Sequence, residues 1–185
     1  MALTPSSMLA LGTAAPDFSL TDTVTGRRVS LSDFKNKTSL LVMFICNHCP
    51  FVKHVQSGLV ALGKDYEPKD VGIVAISAND PTSHPGDAPD KMAAEAKKQG
   101  YRFPYLFDET QDVARAYHAT CTPDFFLFDK GRRLVYRGQL DASRPDNGVP
   151  VTGKDLRAAI DASIAGKPVP AEQKPSVGCN IKWRS

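Results

Sequence analysis

Two cysteines separated by two residues constrain this 185-residue chain more than any other feature. Cys46 and Cys49 follow an almost uninterrupted apolar run, 39–45, which is typical of a strand buried on both faces of a parallel sheet. Pro50 and the helical spacing of the apolar residues behind it indicate that a helix begins directly after the second cysteine. The sequence therefore predicts a dithiol at the junction of a strand and a helix.

A helix N-terminus suits thiol chemistry because its unpaired N–H groups and its dipole stabilise a thiolate. Such a position lowers a cysteine pKa from about 8.5 to roughly 3.5–7.5, and the thiolate is the reactive form. We expect Cys46 to be the more exposed thiol with the lower pKa, and Cys49 to lie deeper. Asn47 and His48 stand between the two thiols as candidate substrate-binding residues, and His48 also offers the sulfur a donor or a cation.

Two other interpretations of the cysteine pair stay open. C-x-x-C is half of a zinc site, although the chain has no second pair of this kind. Buried cysteines also serve as small apolar residues. Cys121 and Cys179 are the other two cysteines, and each is a candidate auxiliary thiol with packing as its alternative. We expect neither a metal ion nor a cofactor.

Composition and charge favour a protein that acts on neither nucleic acids nor membranes. The net charge is +3, and the basic residues are scattered, so nothing favours a nucleic-acid partner. Segment 1–15 has no Lys or Arg, and no apolar stretch is long enough to cross a bilayer. We therefore expect a cytoplasmic location, where a C-x-x-C pair indicates redox work.

The order of predicted elements is typical of an α/β sheet. A strand over 71–77 follows the helix behind the dithiol, which makes a right-handed β-α-β unit. The other predicted elements are a hairpin within 16–35, helices over 89–99, 109–117 and 152–165, the last capped by Thr152, and a strand over 125–129 with a hairpin partner at 132–137.

One domain is expected over 1–185, with its core at about 16–165 and a tail over 166–185. The polar loop after the second core strand leaves the sheet at the end where α/β sites lie. Asn79, Asp80 and His84 in this loop are interpreted as turn residues, with a role at the dithiol as the alternative.

This element order, together with Cys46-x-x-Cys49 and Thr122-Pro123 just before a strand, resembles the thioredoxin superfamily. The resemblance implies a thioredoxin fold, with a mixed central sheet flanked by helices and extended here by an N-terminal β-hairpin. It also implies that Pro123 is a cis-proline facing the dithiol, and that the backbone of Thr122 is left to pair with a substrate.

More narrowly, the chain resembles the peroxiredoxin-like branch of that superfamily, the alkyl-hydroperoxide-reductase/thiol-specific-antioxidant type. The segments that carry this resemblance are Ala15-Pro16-Asp17-Phe18-Ser19-Leu20, the C-N-H-C motif with Pro50-Phe51-Val52, Ile76-Ser77-Ala78-Asn79-Asp80, Tyr136-Arg137-Gly138-Gln139 and Gly178-Cys179-Asn180-Ile181-Lys182-Trp183.

The chain departs from both groups at its dithiol. If Cys49 holds the position of the peroxidatic cysteine, Val42 and Cys46 stand where peroxiredoxins carry Pro and Thr. Thioredoxin itself carries Trp before its dithiol and Gly-Pro inside it, where this chain has Ile45 and Asn47-His48. A thioredoxin-type dithiol is thus combined with a peroxiredoxin-type body.

The sequence predicts a cytosolic thiol–disulfide oxidoreductase. Cys46 would attack a substrate disulfide, and Cys49 would resolve the mixed disulfide, while Thr122 and Pro123 hold the substrate chain. The alternatives are a thiol peroxidase that reduces hydroperoxides, and a metal-binding or redox-sensing thiol domain without turnover. The expected partners are a protein or small-molecule disulfide or hydroperoxide, and a thiol reductant such as a thioredoxin system.

Overall fold

The computed structural model describes residues 3–184. In chain order its strands are β1 (Leu3–Pro5), β2 (Ser19–Asp22), β3 (Arg28–Ser30), β4 (Ser39–Phe44), β5 (Val71–Ser77), β6 (Tyr105–Phe107), β7 (Cys121–Thr122), β8 (Asp124–Phe128), β9 (Leu134–Arg137) and β10 (Val177–Asn180). Its α-helices are α1 (Pro50–Tyr66), α2 (Pro89–Gln99), α3 (Asp112–Ala116) and α4 (Lys154–Ile164).

Seven strands form a mixed central sheet in the order β3-β2-β6-β5-β4-β8-β9. Strand β4 lies inside the sheet, parallel to β5 on one side and antiparallel to β8 on the other. The predicted hairpin is formed by β2 and β3, and it joins this sheet because β2 pairs with β6. The mixed α/β sheet with an N-terminal hairpin is therefore confirmed.

Helices cover both faces of the sheet, which explains why β4 is apolar throughout. Alternate side chains of a strand point to opposite faces. Leu41 and Met43 join the cluster that includes α1, α2 and α4, whereas Leu40 and Val42 join the cluster beneath α3. Among residues 3–184, we find no helix with both the length and the apolar character that a bilayer span requires.

The predicted positions of α1, β5 and α2 agree with the structure, α3 begins at Asp112 rather than at Glu109, and the start of α4 also needs correction. Thr152 was expected to cap this helix. Instead Gly153 is the capping residue, with a φ of +70°, and the Thr152 hydroxyl accepts a hydrogen bond from the Lys154 N–H. Gly153 can take this left-handed conformation because it has no Cβ.

A second, three-stranded sheet in the order β1-β10-β7 lies beside the main one. Strand β10 runs antiparallel to both neighbours, and Cys179 stands opposite Leu3 on one side and Thr122 on the other. The segment that the sequence assigned to a tail therefore contains a strand. The sequence of these four residues does not by itself indicate a strand. The strand forms because the residues pair with β1 and β7, which lie far away along the chain.

Candidate active site

The dithiol lies between the end of β4 at Phe44 and the start of α1 at Pro50. Cys49 is the residue that caps α1, so the helix N-terminus faces the second cysteine. The Thr122-Pro123 bond is cis, as expected, and lies against both sulfurs. Cys46 Sγ is 3.5 Å from the Thr122 hydroxyl, and Cys49 Sγ is 3.2 Å from the Thr122 carbonyl oxygen.

The expected difference in exposure between the two thiols is wrong. Cys46 is 2% exposed and Cys49 is 0% exposed, so both sulfurs are buried. Asn47 and His48, between the two cysteines, are half-buried.

The expected order of the two pKa values is also wrong. The hydrogen bond from the Cys46 thiol is the main cause that holds the pKa of Cys49 well below its usual range, against the effect of burial, and Cys179 and Thr122 add to it. The same hydrogen bond, burial and the negative charge of Asp87 raise the pKa of Cys46. These directions favour a thiolate at Cys49, which has the helix N-terminus beside it, over a thiolate at Cys46, which lies next to a carboxylate.

Asp87 is the functional residue that sequence reasoning missed. Its buried carboxylate accepts hydrogen bonds from the backbone N–H of Asn47 at 2.8 Å and of His48 at 3.3 Å. Burial would raise the pKa of Asp87, but hydrogen bonds from His48 and Asn79 outweigh it and lower the pKa. The signal that could have found it is its place in the polar loop after β5.

His48 is oriented by this carboxylate. Its Nδ1 lies 2.5 Å from Asp87 Oδ2 and 3.8 Å from Cys46 Sγ. Because one nitrogen makes both contacts, the ring does not link carboxylate and sulfur through its opposite nitrogens, as it would in a proton relay. The ring also stacks on His84, with centroids 4.7 Å apart.

Other side chains of this loop have distinct roles. The Asn79 amide donates to Asp87 Oδ2 at 2.8 Å, and its oxygen accepts from the Lys182 N–H at 2.8 Å. Asn79 and His84 thus belong to the site, contrary to the turn interpretation. Asp80 fits that interpretation, since its carboxylate accepts from the Thr82 N–H.

The Asn47 amide has protein partners at both ends. Its nitrogen donates to the Gly86 carbonyl at 3.0 Å, and its oxygen accepts from the Tyr105 hydroxyl at 3.2 Å. These bonds hold the loop between the two cysteines to the rest of the site.

The backbone of Thr122 is not left for a substrate, so that expectation is wrong. Thr122 pairs with Cys179 of β10. Cys179 is 1% exposed, and its sulfur lies 2.8 Å from Cys49 Sγ. The chain's own C-terminal strand therefore covers the cis-proline and brings a third thiol to the dithiol.

Cys121 is placed differently from Cys179. Its sulfur lies 3.7 Å from the Pro123 carbonyl oxygen, and the side chain is fully buried. Burial is the main cause that raises the pKa of this thiol. Such surroundings fit the packing alternative.

One group of side chains among residues 3–184 has the spacing of metal ligands. The donor atoms of Cys46, His48 and Asp87 lie within 4.8 Å of one another. A thiolate, an imidazole and a carboxylate are all zinc ligands, so these three residues could hold such an ion. In the structure, the same atoms are engaged in the hydrogen bonds described above.

Comparisons with known proteins agree with this fold and this chemistry. The model of the AhpC/TSA family matches residues 11–137. A curated relative, the thiol-disulfide oxidoreductase ResA of Geobacillus kaustophilus, is 30% identical over 129 residues, which are 69% of this chain and 68% of that protein.

Solved structures extend the comparison. An uncharacterized conserved protein of Geobacillus kaustophilus is 56% identical, with a TM-score of 0.98, over 100% of this chain and 97% of that one. The thioredoxin domain of a thiol-disulfide oxidoreductase from Bacteroides vulgatus is 23% identical, with a TM-score of 0.60, over 75% of this chain and 91% of that one. The last likeness identifies the fold as the thioredoxin fold.

Proposed function

The chain belongs to the AhpC/TSA family, and we propose that it is a thiol–disulfide oxidoreductase whose Cys46–Cys49 dithiol reduces disulfides. The observation that carries the proposal is the position of both thiols at a helix N-terminus, with their sulfurs against the Thr122 residue of the cis Thr122-Pro123 bond. The name of the ResA relative supports the same reaction class.

In the first step, Cys46 attacks one sulfur of the substrate disulfide. Its proton moves to the Cys49 thiolate, so that Cys49 is the base for Cys46. A bond forms between Cys46 and one substrate sulfur, and the other substrate sulfur leaves as a thiolate. Cys46 is thus still the attacking thiol, as the sequence predicted. It is activated by proton transfer to Cys49 and not by a low pKa of its own.

In the second step, Cys49 resolves the mixed disulfide. The departed thiolate takes the proton from Cys49, and the Cys49 sulfur attacks Cys46 and releases the second substrate sulfur as a thiolate, which takes a proton from water. The enzyme is left with a Cys46–Cys49 disulfide, and the substrate has gained two electrons. An external thiol reductant, such as a thioredoxin system, restores the dithiol.

Both sulfurs are buried, and the half-buried Asn47 and His48 are the residues of the motif that a substrate can contact from solvent. We include a cytoplasmic location in the proposal, where thiol reductants keep such a dithiol reduced. Fractionation of cells that express the chain, followed by detection of the protein in each fraction, tests this location.

Paired assays on one pure sample test the function. Insulin disulfide reduction and hydroperoxide consumption are each measured with dithiothreitol as the reductant. Insulin reduction should fall to background in Cys46→Ser and in Cys49→Ser, and should persist in Cys121→Ala. Full reduction by either serine variant would overturn the proposed dithiol mechanism.

Hydroperoxide reduction at Cys49 is a second candidate, favoured by the lowered pKa of this thiol. The Cys49 thiolate would take one peroxide oxygen to become a sulfenic acid, and the rest of the peroxide would leave as alkoxide. A second thiol would then condense with the sulfenic acid and release water. Peroxide consumption that requires Cys49, without insulin reduction, would select this candidate.

A further inference from the structure

We propose that Cys179 is a third redox thiol, which attacks the sulfur of Cys49 and takes over the disulfide bond that Cys49 has formed. The proposal rests on the proposed redox role of Cys49, and it adds a thiol from outside the C-x-x-C motif. It also gives the C-terminal strand a chemical role besides covering the site.

The contact between the two sulfurs is the first support. Cys49 Sγ and Cys179 Sγ are 2.8 Å apart, and both side chains are buried. A disulfide bond has a length of about 2.05 Å, so a shift of less than about one ångström would join them. Cys49 thus contacts a thiol from β10, which lies outside the C-x-x-C motif.

The position of β10 is the second support. In the resemblance to the thioredoxin superfamily, a substrate chain pairs with the residue before the cis-proline. Here Cys179 stands opposite that residue, Thr122, so β10 occupies the place expected of a substrate strand. Its sulfur consequently lies where the sulfur of a bound disulfide would meet the dithiol.

Several contacts hold this strand in place. On its outer edge β10 pairs with β1, and the Ser176 hydroxyl before it donates to the Pro123 carbonyl at 2.6 Å. Behind it, Lys182 accepts from the Asp80 N–H at 2.9 Å and donates to Asn79 at 2.8 Å. The tail is therefore fixed on both sides of Cys179, and the thiol is positioned for exchange.

The charge on Cys49 determines when Cys179 can react. Burial, then the hydrogen bond with Cys49 and the Cys49 charge, raise the pKa of Cys179 to about 12, so this thiol is unreactive beside the reduced dithiol. When Cys49 enters a disulfide, its negative charge disappears, and two of these three causes disappear with it. Cys179 thus becomes easier to deprotonate only after Cys49 has been oxidised.

The exchange step is balanced without an added oxidant. Starting from the Cys46–Cys49 disulfide, the Cys179 sulfur bonds to Cys49, the Cys46–Cys49 bond breaks, and the proton of Cys179 goes to the departing Cys46 thiolate. The product has a Cys49–Cys179 disulfide and a Cys46 thiol. When a substrate is instead attached to Cys49, the same attack releases that substrate as a thiol.

A variant that lacks Cys46 tests the proposal and leaves β10 unchanged. Cys46→Ser protein is treated with glutathione disulfide, quenched by alkylation under denaturing conditions and mapped by mass spectrometry. The Cys49 thiolate should first form a mixed disulfide with glutathione, and Cys179 should then displace the glutathione. We expect a Cys49–Cys179 disulfide, with Cys121 as the alkylated thiol.

Two double variants serve as matched controls. Cys46→Ser/Cys121→Ala should form the same Cys49–Cys179 link, whereas Cys46→Ser/Cys179→Ser should keep glutathione on Cys49. Persistence of the mixed disulfide on Cys49 in the single variant, or a link from Cys49 to Cys121, would overturn the proposal.

The disulfide-mapping test and the insulin assay can fail independently of each other. Insulin reduction that requires Cys46 and Cys49, without any Cys49–Cys179 link, would reject the third thiol and keep the proposed function. A Cys49–Cys179 link in a protein that reduces no insulin would reject the proposed function and keep the thiol pair.

Discussion

The α-carbon of Gly178 faces the carbonyl oxygen of Thr122 so closely that a methyl group on it would lie 1.9 Å from that oxygen. The same methyl would be 2.7 Å from the Thr122 carbonyl carbon and 3.2 Å from the Pro123 nitrogen. These neighbours are backbone atoms of the cis peptide, so they cannot rotate away as a side chain can. Only glycine at 178 lets β10 lie this close to the dithiol.

Gly178→Ala should therefore lift β10 from β7 and open the site. We expect destabilisation on the order of 2 kcal/mol or more, and faster native-state alkylation of Cys49 and Cys179. Thermal unfolding and iodoacetamide labelling read by mass spectrometry measure the two effects. Gly131→Ala is the control, because its methyl would meet a side-chain oxygen at 3.3 Å. Equal labelling of both variants would contradict the close approach.

The ionised thiol of the reduced protein should be Cys49. Thiolate absorbance in the ultraviolet, followed against pH, should show a group that ionises below the usual cysteine pKa of about 8.5. Cys49→Ser should lose this transition, whereas Cys46→Ser should keep it, because the serine hydroxyl can still donate to the thiolate. Loss of the transition in Cys46→Ser alone would instead place the charge on Cys46.

Asp87→Asn should make Cys46 easier to ionise. The negative charge of Asp87 is one of the causes that raise the pKa of Cys46, and a like charge at this range shifts a pKa by roughly one unit or more. The asparagine keeps an oxygen that can accept from the Asn47 N–H. The rate of Cys46 alkylation against pH should shift to lower pH, while the exposed Asp90→Asn control should match the parent protein. An unchanged profile would exclude electrostatic control by Asp87.

Replacement of the buried Asp124 should change how stability depends on pH. Burial raises the pKa of Asp124 to about 7, and Oδ1 has no hydrogen-bond partner among the described residues. The folded protein therefore keeps a proton that the unfolded chain releases near pH 4, and the contribution of Asp124 to stability is lost as pH rises from about 4 to about 7.

Asp124→Asn cannot ionise, so it removes this loss. The free energy of unfolding of Asp124→Asn, relative to that of the parent protein, should increase by up to roughly 4 kcal/mol as the pH rises over this range, at 1.36 kcal/mol per pKa unit. Urea unfolding at several pH values measures the difference. Parallel curves for the two proteins would show that Asp124 keeps an ordinary pKa.

Local sequence signals predicted the elements that carry the dithiol, and long-range contacts decided how the site is completed. The apolar run of β4, Pro50 and the Thr122-Pro123 step have signatures within a few residues, so they could be identified from the sequence. The carboxylate of Asp87 comes to the dithiol only through the path of the loop after β5. Likewise, Gly178 and the rest of β10 have no strand signal until β1 and β7 are placed beside them.

The order of the strands along the chain has a consequence for biosynthesis. Strand β10 comes last, and it fills the place between β1, the first strand, and β7. During synthesis, Cys46 and Cys49 are added long before Cys179, and a domain folds as a unit. The cover over the cis-proline and the thiol beside Cys49 are therefore the last parts of the site to be synthesised, and a chain that ends before β10 has the C-x-x-C motif without either of them.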